Sequence, residues 1–402
     1  MTEGGGKESM RLLRLGAALV LLLLLMPLSL GQSQERGVTP TEIIIGSTVP
    51  LSGPAGYWGG GVGKGIEAYL SVINEQGGIN GRKFKVVLLD DAYLPARAAL
   101  NARELVERHG VFAIVGMIGT ANTFAARDYL LDSQVLWITP TTSDIFAGVR
   151  KKKYLFTTYV SYTNEANILS QYAAEKLGTK SIAVFHQNDE YGLALLRGVK
   201  YGAAAAKGVR FAGSASYEIT DADVSAQAVK LRSAGADTVY IAATPTHGAL
   251  IVREMAKLGY RPKLLSSATL ADPIMFRLAG EAWNDIHLTA FFLLPGHDPK
   301  VDQMLGTLLR VEPSLRGTPY NALAGVAFVE PLVEAIRRAG RDLTKDRVVG
   351  ALEQLRNWNG DVVRGVTFAP DRRQGLNRVY IVRASGGQYV KVTDWITYPP
   401  SY

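Results

Sequence analysis

The stretch that most constrains the fold runs from Ile43 to Asp91. An apolar run (IIIGSTV) is followed by the turn Pro50-Leu51-Ser52-Gly53-Pro54, the amphipathic segment GIEAYLSVINEQ, the glycine turn Gly77–Gly81 and a second apolar run, KVVLLDD. It reads as strand, turn, helix, turn, strand. Two strands joined through a helix pair in parallel, because the crossover returns the chain to the end where the first strand began. In sheets of that kind small ligands sit at the turns beyond the strand carboxyl ends. The glycines Gly59–Gly65 are expected to let the backbone turn tightly beneath a ligand, with Tyr57 and Trp58 projecting towards it.

The alternation continues through most of the chain. Candidate strands are Ile43–Ile45, Val86–Leu89, Phe112–Val115, Val135–Ile138, Ile182–Phe185, Thr238–Ala242 and Leu264–Leu265. Runs apolar on both faces and separated by helices indicate a parallel sheet covered on both sides. Helical stripes fall at Ile66, Tyr69, Leu70, Ile73; at Ala98, Ala102, Leu105, Val106; and at Val224, Ala228, Leu231. Gly77-Gly78, Gly110, Gly178, Gly235 and Gly259 stand where left-handed caps close helices before strands. The rhythm runs once over residues 42–160 and again over 161–290. Beyond it come helical patterns at Ala322–Ala339 and Lys345–Leu355, then Val362–Phe368 and Val379–Val382, which alternate like strands around a turn at Pro370-Asp371. The expected fold is α/β: two lobes of like architecture, each built on a parallel sheet, with the C-terminal part completing them rather than forming a third core.

Composition narrows the function. Lys7, Arg11 and Arg14 precede the apolar run Leu15–Leu28, and Ser29 and Gly31 follow, the pattern of a signal peptide spanning residues 1–31 and cleaved near Gly31. The run is short for a membrane span, which makes an uncleaved anchor the lesser alternative. About 370 residues remain, enough for two domains. There are no cysteines, so disulfides, thiolate metal sites, a cysteine nucleophile and a lipidated cysteine are excluded. The formal charge of +8 is spread along the chain, with one dense cluster at Arg150–Lys153, so no nucleic-acid partner is expected.

Catalytic motifs fail when tested. Gly63-Lys64 mimics a phosphate loop, but Trp58 stands at the required first glycine and Gly65 at the hydroxyl, while Ile66 breaks a dinucleotide fingerprint. The five histidines lack metal-ligand spacing, and no Gly-x-Ser-x-Gly elbow occurs. Asp90 and Asp91 are adjacent at a strand end and point to opposite faces, which suits capping or hinge contacts better than paired acid-base work. Better signals lie in Gly116–Thr123 and Ile138–Ser143. Each places hydroxyls just beyond a strand, and Thr120 opens a helix whose free N–H groups suit a carboxylate. No catalytic residue, metal ligand or cofactor is expected.

Taken together, Pro50–Pro54, Asn74 through Gly77-Gly78-Ile79-Asn80-Gly81, Asp90-Asp91, Ile138-Thr139-Pro140, Asp189-Glu190-Tyr191-Gly192 and Leu231-Arg232 through Gly235-Ala236-Asp237 resemble the branched-chain amino-acid-binding family of periplasmic solute receptors. The resemblance covers nearly the whole mature chain. It implies two doubly wound parallel-sheet lobes, the type I periplasmic-binding-protein fold, joined by a three-segment hinge near Val160-Ser161, Ala290 and Asn377, which gives lobe I as 41–160 and 291–377 and lobe II as 161–290 and 378–402. It also implies ligand-binding roles for Trp58, Thr120, Thr141, Thr142, Ser143, Tyr191, Thr244 and Tyr320. The implied partners are a small solute (an amino acid or an organic carboxylate) and an ABC permease with its ATPase, served by a monomeric periplasmic receptor. A sensor feeding a regulatory partner is the alternative, and an enzyme on a similar sheet a third reading. One departure stands out: the family's ammonium-binding acid matches Ala268, so Asp272, Asp189 or Glu190 takes that role or the ligand lacks an ammonium. An unpaired buried ammonium costs about several kcal/mol.

Overall fold

The computed structural model describes residues 35–141, 144–146, 148–149 and 152–401. The expected signal segment, Thr142 and Ser143 lie outside them. Strand β1 (Glu42–Val49) hands the chain to α1 (Gly56–Glu75), then follow β2 (Lys83–Asp90), α2 (Pro95–Glu107), β3 (Ala113–Val115), α3 (Thr120–Ser133), β4 (Leu136–Ile138) and β5 (Leu155–Phe156). These strands form one parallel sheet in the order β2-β1-β3-β4-β5. The second series is α4 (Tyr162–Lys176), β6 (Ser181–Gln187), α5 (Glu190–Ala205), β7 (Arg210–Tyr217), α6 (Ser225–Ser233), β8 (Thr238–Ala242), α7 (Pro245–Lys257), β9 (Lys263–Ser266), α8 (Ile274–Ala279) and β10 (His287–Ala290). Three helices follow: α9 (Pro299–Val311), α10 (Pro319–Ala339) and α11 (Lys345–Leu352). The chain ends in β11 (Arg378–Ser385), β12 (Gln388–Lys391) and β13 (Ile396–Thr397).

The second sheet has the order β7-β6-β8-β9-β10-β11-β12, with β13 also on β11. It is parallel through β10 and antiparallel beyond. Both sheets are doubly wound, so each has a point where the strand order reverses: between β1 and β3 in the first, between β6 and β8 in the second. Strand β7 (RFAGSASY), absent from the candidate strands, is a half-buried edge strand with little apolar alternation to mark it. Val362–Phe368, read as a strand, is irregular. Only isolated bridges occur there, as at Trp358 with Val366, and Gly365 takes a left-handed φ of 75°. The backbone N–H groups of Asp361, Val362 and Val363 donate to the buried Glu330 carboxylate instead of to a neighbouring strand.

The glycine run Gly59–Gly65 is not a turn, as its composition suggested, but the first half of α1. Its glycines permit close approach. A Cβ on Gly61 would lie 2.6 Å from the Asn321 Cβ, one on Gly65 only 2.3 Å from the Ala322 carbonyl oxygen, and one on Gly325 only 2.4 Å from the Val62 carbonyl oxygen. Helices α1 and α10 therefore pack backbone against backbone. That contact ties the C-terminal helices to the first sheet, and Arg310 of α9 adds an exposed ion pair to Glu75 at 2.7 Å. Of the two residues expected to project from the turn, Trp58 is buried and Tyr57 exposed. Gly65→Val should lower stability by about 1–3 kcal/mol in chemical denaturation, the usual cost of forced overpacking. Gly60→Ala, four helical positions from Lys64 with open space around it, should be neutral or stabilising by up to about 1 kcal/mol.

Candidate functional site

The two reversal points face one another across a single cleft. It is narrow, with room of only about 10 Å³, and is lined by Trp58, Tyr93, Gly119 and Thr120 from the first half and by Tyr162, Tyr191, Ala243, Thr244, Pro245 and Thr269 from the second. Of the residues singled out in the sequence, Trp58, Thr120, Tyr191 and Thr244 meet here. Contacts across the cleft hold its walls together: the Thr246 hydroxyl donates to the Pro54 carbonyl at 3.2 Å, and the Gln187 amide donates to the Tyr93 hydroxyl at 3.4 Å.

Thr120 is the first residue of α3, whose N-cap, Gly119, has φ 95° and offers no side chain to the helix start. The Thr120 hydroxyl is buried with no hydrogen-bond partner. Leaving such a group unsatisfied costs about 1–3 kcal/mol, and the uncapped positive end of a helix attracts anions. A Cβ on Gly119 would meet the Tyr93 ring at 2.8 Å, so only glycine lets Tyr93 close over this loop. Thr141 sits one layer behind: its hydroxyl accepts from the Gly119 N–H at 3.0 Å and donates to the Met117 carbonyl at 2.9 Å, bracing the loop rather than facing the cleft.

Asp91 positions this wall. Its carboxylate accepts from the Tyr93 N–H, the Thr48 hydroxyl and the Asn122 amide, joining β1, the loop after β2 and α3. Burial pushes its pKa up to about 6. Asp90 accepts from Leu51, Ser52 and Ala92. Between them the two acids hold Ala92 and Tyr93 at φ 50° and 62°, a left-handed pair that non-glycine residues rarely adopt. The acidic pair thus braces loops, and Tyr93 reaches the cleft because of it. Nothing in the local sequence announced Tyr93, since the left-handed turn depends on acceptors supplied by the fold.

On the facing wall Asp189 caps α5, accepting from the Tyr191 and Gly192 N–H groups. Tyr191 then points inward, its hydroxyl 3.2 Å from the Ala243 carbonyl, to which it donates, and 2.9 Å from the Thr269 hydroxyl. Tyr162 meets the Tyr191 ring edge-on at 4.9 Å and donates its hydroxyl to the Thr141 carbonyl at 2.7 Å. Tyr320 lies outside the lining residues, its N–H and that of Asn321 donating to Asp272.

None of the three acids considered for an ammonium lines the cleft. Asp189 and Asp272 are occupied as helix caps, and Glu190 is exposed. The carboxyl beside Ala268 is Glu165 of α4: its Oε2 accepts from the Thr289 hydroxyl at 2.6 Å and the Ala268 N–H at 3.4 Å, while its Oε1 is buried without a partner. Burial raises its pKa to about 8, so it is protonated at neutral pH. No group of three or more His, Asp or Glu side chains suited to a metal occurs among the described residues. Nor is any helix among them long and apolar enough to cross a membrane.

The family described as Periplasmic binding protein matches residues 42–388. The Leu/Ile/Val-binding protein homolog 3 of Brucella melitensis is 30% identical over 60% of this chain, a stretch that spans 64% of that relative's length. Among solved structures, a fatty acid ABC transporter substrate-binding protein from Thermomonospora curvata superposes with a TM-score of 0.82 at 19% identity, over 92% of this chain and 95% of that one. A branched chain amino acid ABC transporter protein from Thermus thermophilus, solved with bound valine, gives 0.80 at 20% identity over 90% and 98%. At that identity the two structures establish the shared two-lobed fold.

Glu165 generates a pH signature. Because its folded pKa is raised from 4.5 to about 8, the native state holds a proton that the unfolded chain releases. Its contribution to stability is fully present below about pH 4.5 and is lost as pH rises through about 8. Glu165→Gln removes this loss. The melting temperature of the variant relative to the parent should therefore climb between pH 5 and pH 9, with a stability gain on the order of a few kcal/mol at the alkaline end.

Proposed function

Because this chain belongs to the periplasmic binding protein family, whose members are binding proteins rather than enzymes, we propose that it is the extracytoplasmic receptor of an ABC importer. It captures a small amino acid or an apolar or aromatic carboxylate between its two lobes. The observation that carries this reading is the buried, unpartnered Thr120 hydroxyl at the uncapped start of α3, set in a cleft walled by both reversal points. A carboxylate placed there receives the hydroxyl and the first-turn N–H groups, which is the chemistry of an anion at a helix N-terminus. Trp58, Tyr93 and Tyr191 surround the apolar body.

In this reading lobe I comprises 41–160 and 291–377 and lobe II 161–290 and 378–402. The open form meets solute on lobe I, and contacts from lobe II stabilise the closed form, a population shift driven by the ligand's differential affinity. Ion-assisted hydrogen bonds and one buried apolar group suffice for micromolar binding, about −8 kcal/mol. The closed monomer then docks on a permease whose partner ATPase supplies the energy, in the periplasm reached after cleavage near Gly31.

A thermal-shift panel of amino acids, keto acids, aromatic acids and amides tests the solute class. A true ligand at a hundredfold excess over its dissociation constant adds about 2.7 kcal/mol of apparent stability, and small-angle scattering should show contraction on its addition. Thr120→Val is expected to weaken binding at least about tenfold while leaving the empty protein as stable or more so, since it removes an unsatisfied buried hydroxyl. Retained affinity in that variant would sink the reading.

A further inference from the structure

The second wall carries a hydrogen-bond polarity that composition does not reveal. His247, on the first turn of α7, is buried, its ring stacked on Tyr217 at 4.2 Å between centroids. Its Nε2 lies 2.9 Å from the backbone carbonyl oxygen of Asp221. A carbonyl can only accept, so Nε2 must carry a hydrogen. Burial lowers the pKa of the imidazole, with the Asp221 contacts opposing, and the ring is neutral at pH 7. A neutral imidazole protonated at Nε2 has a bare lone pair at Nδ1. That atom is 2.8 Å from the Thr244 hydroxyl oxygen, which must therefore donate to it.

The groups around Thr244 are themselves tied into hydrogen bonds. The Tyr217 hydroxyl donates to the Gln187 side-chain amide oxygen, Oε1, at 2.9 Å and accepts from the Thr244 N–H at 3.0 Å. The Gln187 amide is oriented by the Asp189 carboxylate, 2.5 Å from its nitrogen. The Thr244 hydroxyl occupies an N-cap position yet accepts nothing from its own helix. Thr244 is one of the residues that line the cleft.

We infer that His247 is a positioning residue that locks the Thr244 hydroxyl as a hydrogen-bond acceptor towards the cleft, so that the second wall selects ligands presenting a donor. The inference rests on the solute-capture reading and sharpens it. None of the residues lining the cleft is an acid, so the wall offers a neutral acceptor instead of a counter-charge. It favours 2-amino and 2-hydroxy acids over 2-oxo acids, whose carbonyl oxygen meets Thr244 lone pair to lone pair.

Two measurements on the mature protein test it. Long-range ¹H–¹⁵N correlation at pH 7 should show His247 as the neutral tautomer protonated at Nε2; protonation at Nδ1, or an imidazolium, overturns the inference. Titration with L-leucine, 2-hydroxy-4-methylpentanoate and 4-methyl-2-oxopentanoate should place the first two at least about tenfold tighter than the third, the scale of about 1.4 kcal/mol. Thr244→Val should erase that preference. His247→Phe keeps a ring against Tyr217 but frees the hydroxyl to rotate, and should bring the keto acid within about threefold of the others, well under 1.4 kcal/mol. A keto acid that binds the parent protein as tightly as leucine overturns the selectivity. If none of the three probes binds and the wider panel of amino acids, keto acids and aromatic acids also gives no shift, the solute class proposed above falls, whereas the tautomer still decides the hydroxyl's direction, so the two failures are told apart.

Discussion

Parallel pairing is the constraint from which the rest follows. Each parallel strand must pass through a crossover before its neighbour can form, so all carboxyl ends lie along one edge of the sheet and every helix starts beside that edge. Where the winding reverses, two such loops part and leave a crevice. This chain does so twice, between β1 and β3 and between β6 and β8. The walls of the cleft are the loops and helix starts at those two places.

Buried acids act as joints in this design. Asp91 ties β1 to α3, Asp189 caps α5, Asp272 links the start of α8 to the start of α10, and Glu330 gathers the N–H groups of residues 361–363. Each satisfies backbone donors that would otherwise be buried without partners, a cost that folding must avoid. A list of acids in the sequence suggests acid-base chemistry or ammonium binding; their hydrogen bonds show that most are already committed. Glu165 differs in keeping one carboxyl oxygen unpartnered beside Ala268.

Part of the candidate cleft was legible because it follows strands whose apolar runs are unmistakable. Thr120 and Thr244 each come just after such a run, and Tyr191 follows the capping Asp189. Tyr93, Tyr162 and Thr269 were missed for a common reason. Tyr93 depends on a left-handed turn held by carboxylates, Tyr162 on a helix start anchored to Asp144, and Thr269 on a short 3-10 turn after β9. No local periodicity encodes any of these. The glycine run misled in the opposite direction, since glycine permits both a tight turn and a helix packed against another backbone.

By itself the sequence determined the two-sheet α/β architecture, because apolar runs and helical stripes record which faces must be buried. It also excluded thiol chemistry through the absence of cysteine. Only the tertiary structure decided which polar groups remain free: Thr120 is unpartnered while Thr141 is spent bracing a loop, and the Thr244 hydroxyl is turned by a histidine three residues away. Burial is a property of single residues that a pattern can carry, whereas hydrogen-bond satisfaction belongs to pairs of atoms brought together from distant parts of the chain.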